Sequence, residues 1–278
     1  MPVGVVVVNY ASSQLIARNF AGLSGNPLVI VDNFSTEAER DACHRLSADH
    51  GWFCEAGPNV GYGEGANRGL RRLAEAGCET LIVANPDLEL GVDQVAALAA
   101  AAAAHPDDLI GPLLVNPDGS EWGGLGSIAL GEGRIYSRGE PRPPYWLSGA
   151  CVAASTALWQ RLDGFAEGYF MYWEDVDLSY RVQQLGGTCR QLGELRVRHD
   201  VGGTQGGKSA LYSYYNTRNR LVFAAKNLTA DQQRVWRRTS WAELRRVVSR
   251  QPNRRAKLTR GLWPALRGTL AGRRQVLQ

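Results

Sequence analysis

Apolar positions early in the chain come in short unbroken runs rather than in alternation, the pattern of strands covered on both faces. Val3 to Val8 is one such run, ending in Asn9-Tyr10; Pro27 to Val31 is a second, ending in Asp32-Asn33-Phe34-Ser35; Trp52 to Glu55 is a short third. Helical patterns lie between them. Ser12 or Ser13 caps a helix through about Leu23, and Glu37 to Ala48 forms another. Thr80 to Ala84 is a further buried run, and because Pro86 cannot donate to a ladder, this strand stops at Asn85 and leaves Asp87 just past its end. The order β, α, β, α, β predicts an α/β fold with a mostly parallel, doubly wound sheet flanked by helices. Ligands of such sheets bind outside the carboxyl ends of strands, where Asn9, Asp32 and Asp87 all fall. Asn85-Pro86-Asp87 is also ordinary turn chemistry, so its neighbours must decide its role.

Downstream, the pattern predicts an alanine-rich helix over Val92 to Ala104, a strand over Leu109 to Val115 and a turn at Asn116 to Ser120. Glu121 to Pro144 is rich in Gly, Arg and Pro and has no period, as expected of a loop over a site or an irregular surface excursion. Tyr145 to Ala154 reads as one strand, small-residued at Ser148-Gly149-Ala150, and Thr156 to Leu162 as a helix. Aromatics then crowd up to Glu174-Asp175-Val176-Asp177, acids that favour the opening of a helix. Asp177 and Arg181 are spaced as a helical ion pair; Glu174 and Asp175 have no such local partner. Thr188 to Val197 is the closing strand, followed by His199. A lone histidine is more often a filler than a ligand.

Composition adds one asymmetry. The formal charge of the 278 residues is only +4, but from Arg234 onward the chain carries many arginines and a single acid, Glu243. This divides the chain into a main unit, 1–225, and a basic C-terminal helical appendage, 226–278. The appendage suits a solvated helical face or peripheral contact with the inner face of a membrane. The five cysteines form no CxxC pair and fit reduced thiols in a cytoplasmic protein. No run is long enough to span a bilayer, the N-terminus does not read as a signal peptide, and nothing points to nucleic acid. A homodimer is compatible with the sequence.

Between the third and fourth apolar runs lies Asn59-Val60-Gly61-Tyr62-Gly63-Glu64-Gly65-Ala66-Asn67. Such dense glycine permits close approach of backbone to a ligand. Gly61, Gly63 and Ala66 satisfy a GxGxxA fingerprint, but a dinucleotide site would place it on the first βα turn.

Asn9-Tyr10, Asp32-Asn33-Phe34-Ser35, Asn59 through Asn67, Asn85-Pro86-Asp87, Trp146-Leu147-Ser148-Gly149-Ala150, Trp173-Glu174-Asp175-Val176-Asp177 and His199 occur in this order. Together they resemble the family 2 inverting glycosyltransferases, and within them the bacterial rhamnosyltransferase-like branch, over about residues 3 to 225. The resemblance implies a GT-A fold, a dTDP- or UDP-linked sugar donor, and bound Mg²⁺ or Mn²⁺. It assigns the nucleobase pocket to Asp32, Asn9 and Tyr10, and the nucleoside and diphosphate contacts to Asn59, Gly61, Asn67, Asn85 and Asp87. Asp87 and His199 are the expected metal ligands, although Asn-Pro-Asp offers one carboxylate where many relatives have two. Asp175 matches the general base, with Glu174 beside it, and Trp146, Ser148, Gly149 and Trp173 are the expected substrate-binding residues. The acceptor would be a glycan, a polyprenyl-linked glycolipid or a small molecule. Nucleotidyl transfer to a sugar phosphate and a non-catalytic sugar-nucleotide binding protein are the competing readings.

Overall fold

A computed structural model describes residues 2–200 and 209–276. The chain begins β1 (Val3–Asn9), α1 (Ser13–Phe20), β2 (Leu28–Asn33), α2 (Glu37–His50), β3 (Phe53–Gly57), α3 (Tyr62–Glu75), β4 (Thr80–Ala84). β1 lies parallel between β2 and β4, and β2 is parallel to β3. Along β1 the side chains alternate between two cores. Val5 and Val7 pack with Ile16, Phe20 and Ile30, whereas Val6 and Val8 pack with Ala66, Leu70 and Leu73 of α3. A strand buried on both faces is the physical origin of its unbroken valines.

The second half is mixed. β5 (Leu88–Glu89), α4 (Val92–Ala104), β6 (Leu109–Val115) and β7 (Glu121–Gly123) precede a small sheet made from β8 (Leu125–Ala129), β9 (Arg134–Tyr136) and β10 (Tyr145–Leu147). β11 (Cys151–Ser155) returns to the main sheet antiparallel to both β4 and β6. Then follow α5 (Thr156–Leu162), α6 (Glu174–Gln184) and β12 (Cys189–His199), giving the main-sheet order β3-β2-β1-β4-β11-β6-β12-β5. Antiparallel β11 corrects the expectation of one strand over Tyr145 to Ala154. The chain changes sheet at Ser148-Gly149-Ala150, and the supposedly irregular 121–144 holds three short strands.

The described C-terminal elements are α7 (Ala210–Asn227), α8 (Ala230–Arg238), α9 (Ser240–Ser249), α10 (Arg254–Ala256), a π-helical segment Lys257–Leu262, and α11 (Trp263–Gln275). Their core joins Leu221 and Phe223 of α7 and Trp236 of α8 to Trp173, Val176 and Tyr180 around α6 and to Ile128 of β8. All five cysteines are free, and burial pushes the Cys43, Cys151 and Cys189 thiols up to about 12.

Candidate active site

The site is built where β1, β2 and β4 end and where β11 and α6 begin. Asn9 and Asp32 are register partners at the ends of β1 and β2, both fully buried. Asn9 is held by Glu39, whose carboxylate accepts from Asn9 Nδ2 at 3.3 Å and from the Ser13 hydroxyl at 3.0 Å. Asp32 Oδ2 accepts from Arg40 Nε at 3.0 Å, while its buried Oδ1 has no partner. Tyr10 is 59 % exposed beside them.

The glycine-rich turn is pinned from two sides. Asn33 Nδ2 donates to the Gly61 carbonyl at 2.7 Å, and Asn59 Oδ1 accepts from Gly61 N at 3.0 Å. Gly61 has φ +96°, and a Cβ there would lie 2.3 Å from the Phe170 carbonyl oxygen, so no other residue fits. Asn67 points away from this turn. Its side-chain amide makes both bonds to the backbone of Phe165, at 2.9 and 2.8 Å, and thereby ties α3 to the loop before α6.

That loop delivers the acids. Phe170, Tyr172 and Trp173 all hold positive φ, of 64°, 65° and 78°, a conformation costly for bulky side chains. Asn219 of α7 compensates by donating to the carbonyls of Tyr169, Met171 and Tyr172, at 2.8 to 2.9 Å. Asp175 Oδ2 then accepts from Gly149 N at 3.0 Å and Oδ1 from Val176 N at 2.8 Å. A Cβ on Gly149 would sit 3.0 Å from that of Asp175, which is why this crossing between sheets is small-residued. Glu174 is 8 % exposed and its Oε2 has no partner. Burial, and secondarily the Asp175 charge, push its pKa from 4.5 to about 8. Burial also raises Asp175, but its two backbone N–H bonds favour the ionised form. Within the pair, the two backbone N–H bonds thus favour charge on Asp175, and the unpartnered, buried oxygen of Glu174 disfavours it there.

Asp87 follows a strand end that is tied to the same crossing. Asn85 N donates to the Ala150 carbonyl at 2.8 Å, one residue from the Gly149 N–H that binds Asp175. The Tyr62 hydroxyl donates to the Gly149 carbonyl at 2.8 Å. Its pKa is driven up first by burial and then by neighbours that include Glu174, Asp175 and Asp87. Asp87 Oδ1 is 3.2 Å from His199 Nε2, yet neither this buried oxygen nor His199 Nδ1 has a hydrogen-bond partner. Trp122 presents its edge to the imidazole with ring centroids 4.7 Å apart. Among the described residues no three His, Cys, Asp or Glu side chains group as a metal site.

The expected substrate-binding residues divide. Ser148 and Gly149 line the crossing, whereas Trp146 donates Nε1 to the Tyr136 carbonyl and Trp173 is buried against Phe223 and Trp236. Asp177 pairs with Arg181 Nε at 2.5 Å and accepts from Tyr169 Oη, which makes it structural. Sequence reasoning missed Glu39, Arg40, Trp122 and the clamping role of Asn219; each acts across the fold, with no local spacing to announce it. A cavity of about 440 Å³ between α3 and α5 includes none of Asp32, Asp87, Glu174 and Asp175 in its lining.

The fold is shared with solved structures. The chain aligns with GalNAc-T7, crystallised with UDP, GalNAc and Mn²⁺, over 81 % of its length and 47 % of that chain, with a TM-score of 0.59 and 15 % identity. It aligns with Staphylococcus aureus TarS 1–349 in complex with UDP-GlcNAc over 99 % of this chain and 90 % of that one, with a TM-score of 0.54 and 16 % identity. The protein is a glycosyltransferase with the GT-A fold. Among relatives of this glycosyltransferase is the N-acetylglucosaminyl-diphospho-decaprenol L-rhamnosyltransferase of Mycobacterium tuberculosis, 29 % identical over 80 % of this chain and 83 % of that protein. The low-salt glycan biosynthesis hexosyltransferase Agl10 of Haloferax volcanii is 27 % identical over 65 % of this chain and 61 % of that protein. No family model matches the chain.

Proposed function

We propose that this glycosyltransferase moves a sugar, rhamnose or another deoxysugar, from a nucleoside diphosphate to a hydroxyl of a lipid-linked glycan, with inversion at the anomeric carbon. The observation that carries the reading is geometric: Asp175 is held by the Gly149 and Val176 N–H groups beside buried Glu174, whose Oε2 meets no partner, and Asn85, two residues before Asp87, bonds the Ala150 carbonyl next to them. Asp175 accepts the proton of the attacking hydroxyl, and Glu174 keeps a second charge out of the buried pair. The unpartnered Oδ1 of Asp32 accepts a nucleobase N–H. The names of both relatives support sugar transfer, and that of the rhamnosyltransferase supports a polyprenyl-linked acceptor.

The donor set also fits a divalent cation. The unpartnered Asp87 oxygen and the His199 imidazole are one hard and one borderline ligand, a combination that suits Mn²⁺, with the donor diphosphate and water completing the shell. When bound, the cation neutralises charge developing on the leaving diphosphate. His199→Ala is expected to raise the Mn²⁺ concentration needed for half-maximal rate by about tenfold or more, measured by titrating metal back into chelator-treated enzyme.

Membrane contact is supported by α9, the π-helical segment and α11, which expose Trp241, Leu258, Trp263 and Leu270 among arginines. No described helix is long and apolar enough to cross a membrane. The direct test is incubation with nucleotide sugars, Mn²⁺ and a glycan acceptor, followed by NMR of the product. An anomeric configuration opposite to the donor's is expected; retention, or turnover that requires pyrophosphate, contradicts the proposal.

A further inference from the structure

A second polar concavity lies beside the acids, about 150 Å³ in volume, with walls from β9, α7 and α9. Arg134, Arg220, Arg246 and Arg250 line it, and Glu243 is the one carboxylate among its lining residues. Its floor includes Trp173, which immediately precedes Glu174, and Trp146, which leads into the Gly149 amide bound to Asp175.

The guanidinium accounting leaves positive charge in surplus. Arg246 Nη1 is engaged with Glu243 Oε2 at 2.8 Å. Arg220, 1 % exposed, is bound only by neutral acceptors: the Gly133 carbonyl at 2.7 Å, the Trp236 carbonyl at 2.8 Å, and Thr239 Oγ1. Arg250 Nη1 donates to the Tyr212 hydroxyl at 2.8 Å, and the buried Nε of Arg134 has no partner. Holding a cation among neutral groups is costly, and an anion in the pocket offsets that cost. Arginine forks match phosphate oxygens, and the volume lies below the roughly 300–1,000 Å³ of sites for whole drug-sized ligands, so a single charged group is the fitting occupant. No lining residue comes from before Arg134, whereas the donor-side residues Asn9 to Asp87 all do.

We propose that this pocket binds a phosphate or diphosphate carried by the acceptor, and so aligns the acceptor hydroxyl with Asp175. The proposal deepens the transferase reading and rests on it, but its binding step is testable separately. Inorganic pyrophosphate is titrated calorimetrically into full-length protein saturated with nucleoside diphosphate and Mn²⁺. Wild type is expected to bind, and the Arg134→Gln/Arg250→Gln double variant to bind at least about tenfold more weakly, with unchanged melting temperature and nucleoside-diphosphate affinity. Kinetics then compare one acceptor sugar presented as a long-chain polyprenyl diphosphate, a short alkyl diphosphate and an uncharged alkyl glycoside.

In the double variant, KM for both diphosphates should rise about tenfold or more at near-constant kcat, while the uncharged acceptor is unaffected. Equal effects on the two diphosphates place recognition in the phosphates; a larger effect on the long chain makes the lipid-linked form the source. Absence of pyrophosphate binding in wild type, or equal losses with charged and uncharged acceptors, overturns the proposal. If no acceptor is glycosylated at all, the transferase reading fails, while the pyrophosphate titration still decides the pocket.

Discussion

Glu174 and Asp175 are adjacent in sequence but differ in what their oxygens meet, and that difference assigns their protons. Two backbone N–H groups favour charge on Asp175, whereas Glu174 Oε2 meets nothing. Because the folded pKa of Glu174, about 8, lies above its ordinary 4.5, its contribution to stability is complete below about 4.5 and is lost as pH rises through about 8. Glu174→Gln should therefore flatten the alkaline fall in melting temperature across that window. The same variant should remove the loss of activity expected above pH 8 in wild type, as measured by parallel pH scans of melting and kcat/KM. The acids were legible in the sequence because strand ends and a helix start are local features. The partners of Asp32, Asn9 and Asn67 were not, since Arg40, Glu39 and the Phe165 backbone reach them only through tertiary folding.

At the level of elements, the loop before α6 is the strained part, and α7 is its support. Asn219→Ala would leave the carbonyls of Tyr169, Met171 and Tyr172 without their shared donor. A destabilisation of about 2–4 kcal/mol is expected from denaturant melts, with a larger proportional loss of kcat because Glu174 and Asp175 begin where this loop ends. Some of the longer runs were read to the residue, as in α4, β6 and α5, whereas α2 and β12 each continue two residues beyond the expected end. Strands β7 to β10 have only three to five residues, too few for alternation to show. The single strand expected over 145–154 fails for a functional reason: Ser148-Gly149-Ala150 leaves the small sheet to receive Asp175.

For the whole molecule, a change in charge marked the C-terminal segment in the sequence, but its packing was not visible there. Trp236 is fully buried against Trp173 and Phe223, and Arg220 is held by Gly133 and Trp236. A chain ending at Asn227 would expose this aromatic core, so it should lose the cooperative melt of the full chain in calorimetry; an unchanged melt would show that residues after 227 are dispensable for folding.

The central claim is that Asp175 and Asp87 act on one transfer from within a single crevice. Asp175→Asn tests it most directly, because the amide keeps the shape but cannot take a proton. Titration calorimetry and turnover on the same preparation should show nucleotide-sugar affinity within about twofold of wild type and a kcat lower by about a hundredfold or more. Unchanged turnover, or loss of donor binding in step with activity, would contradict the account.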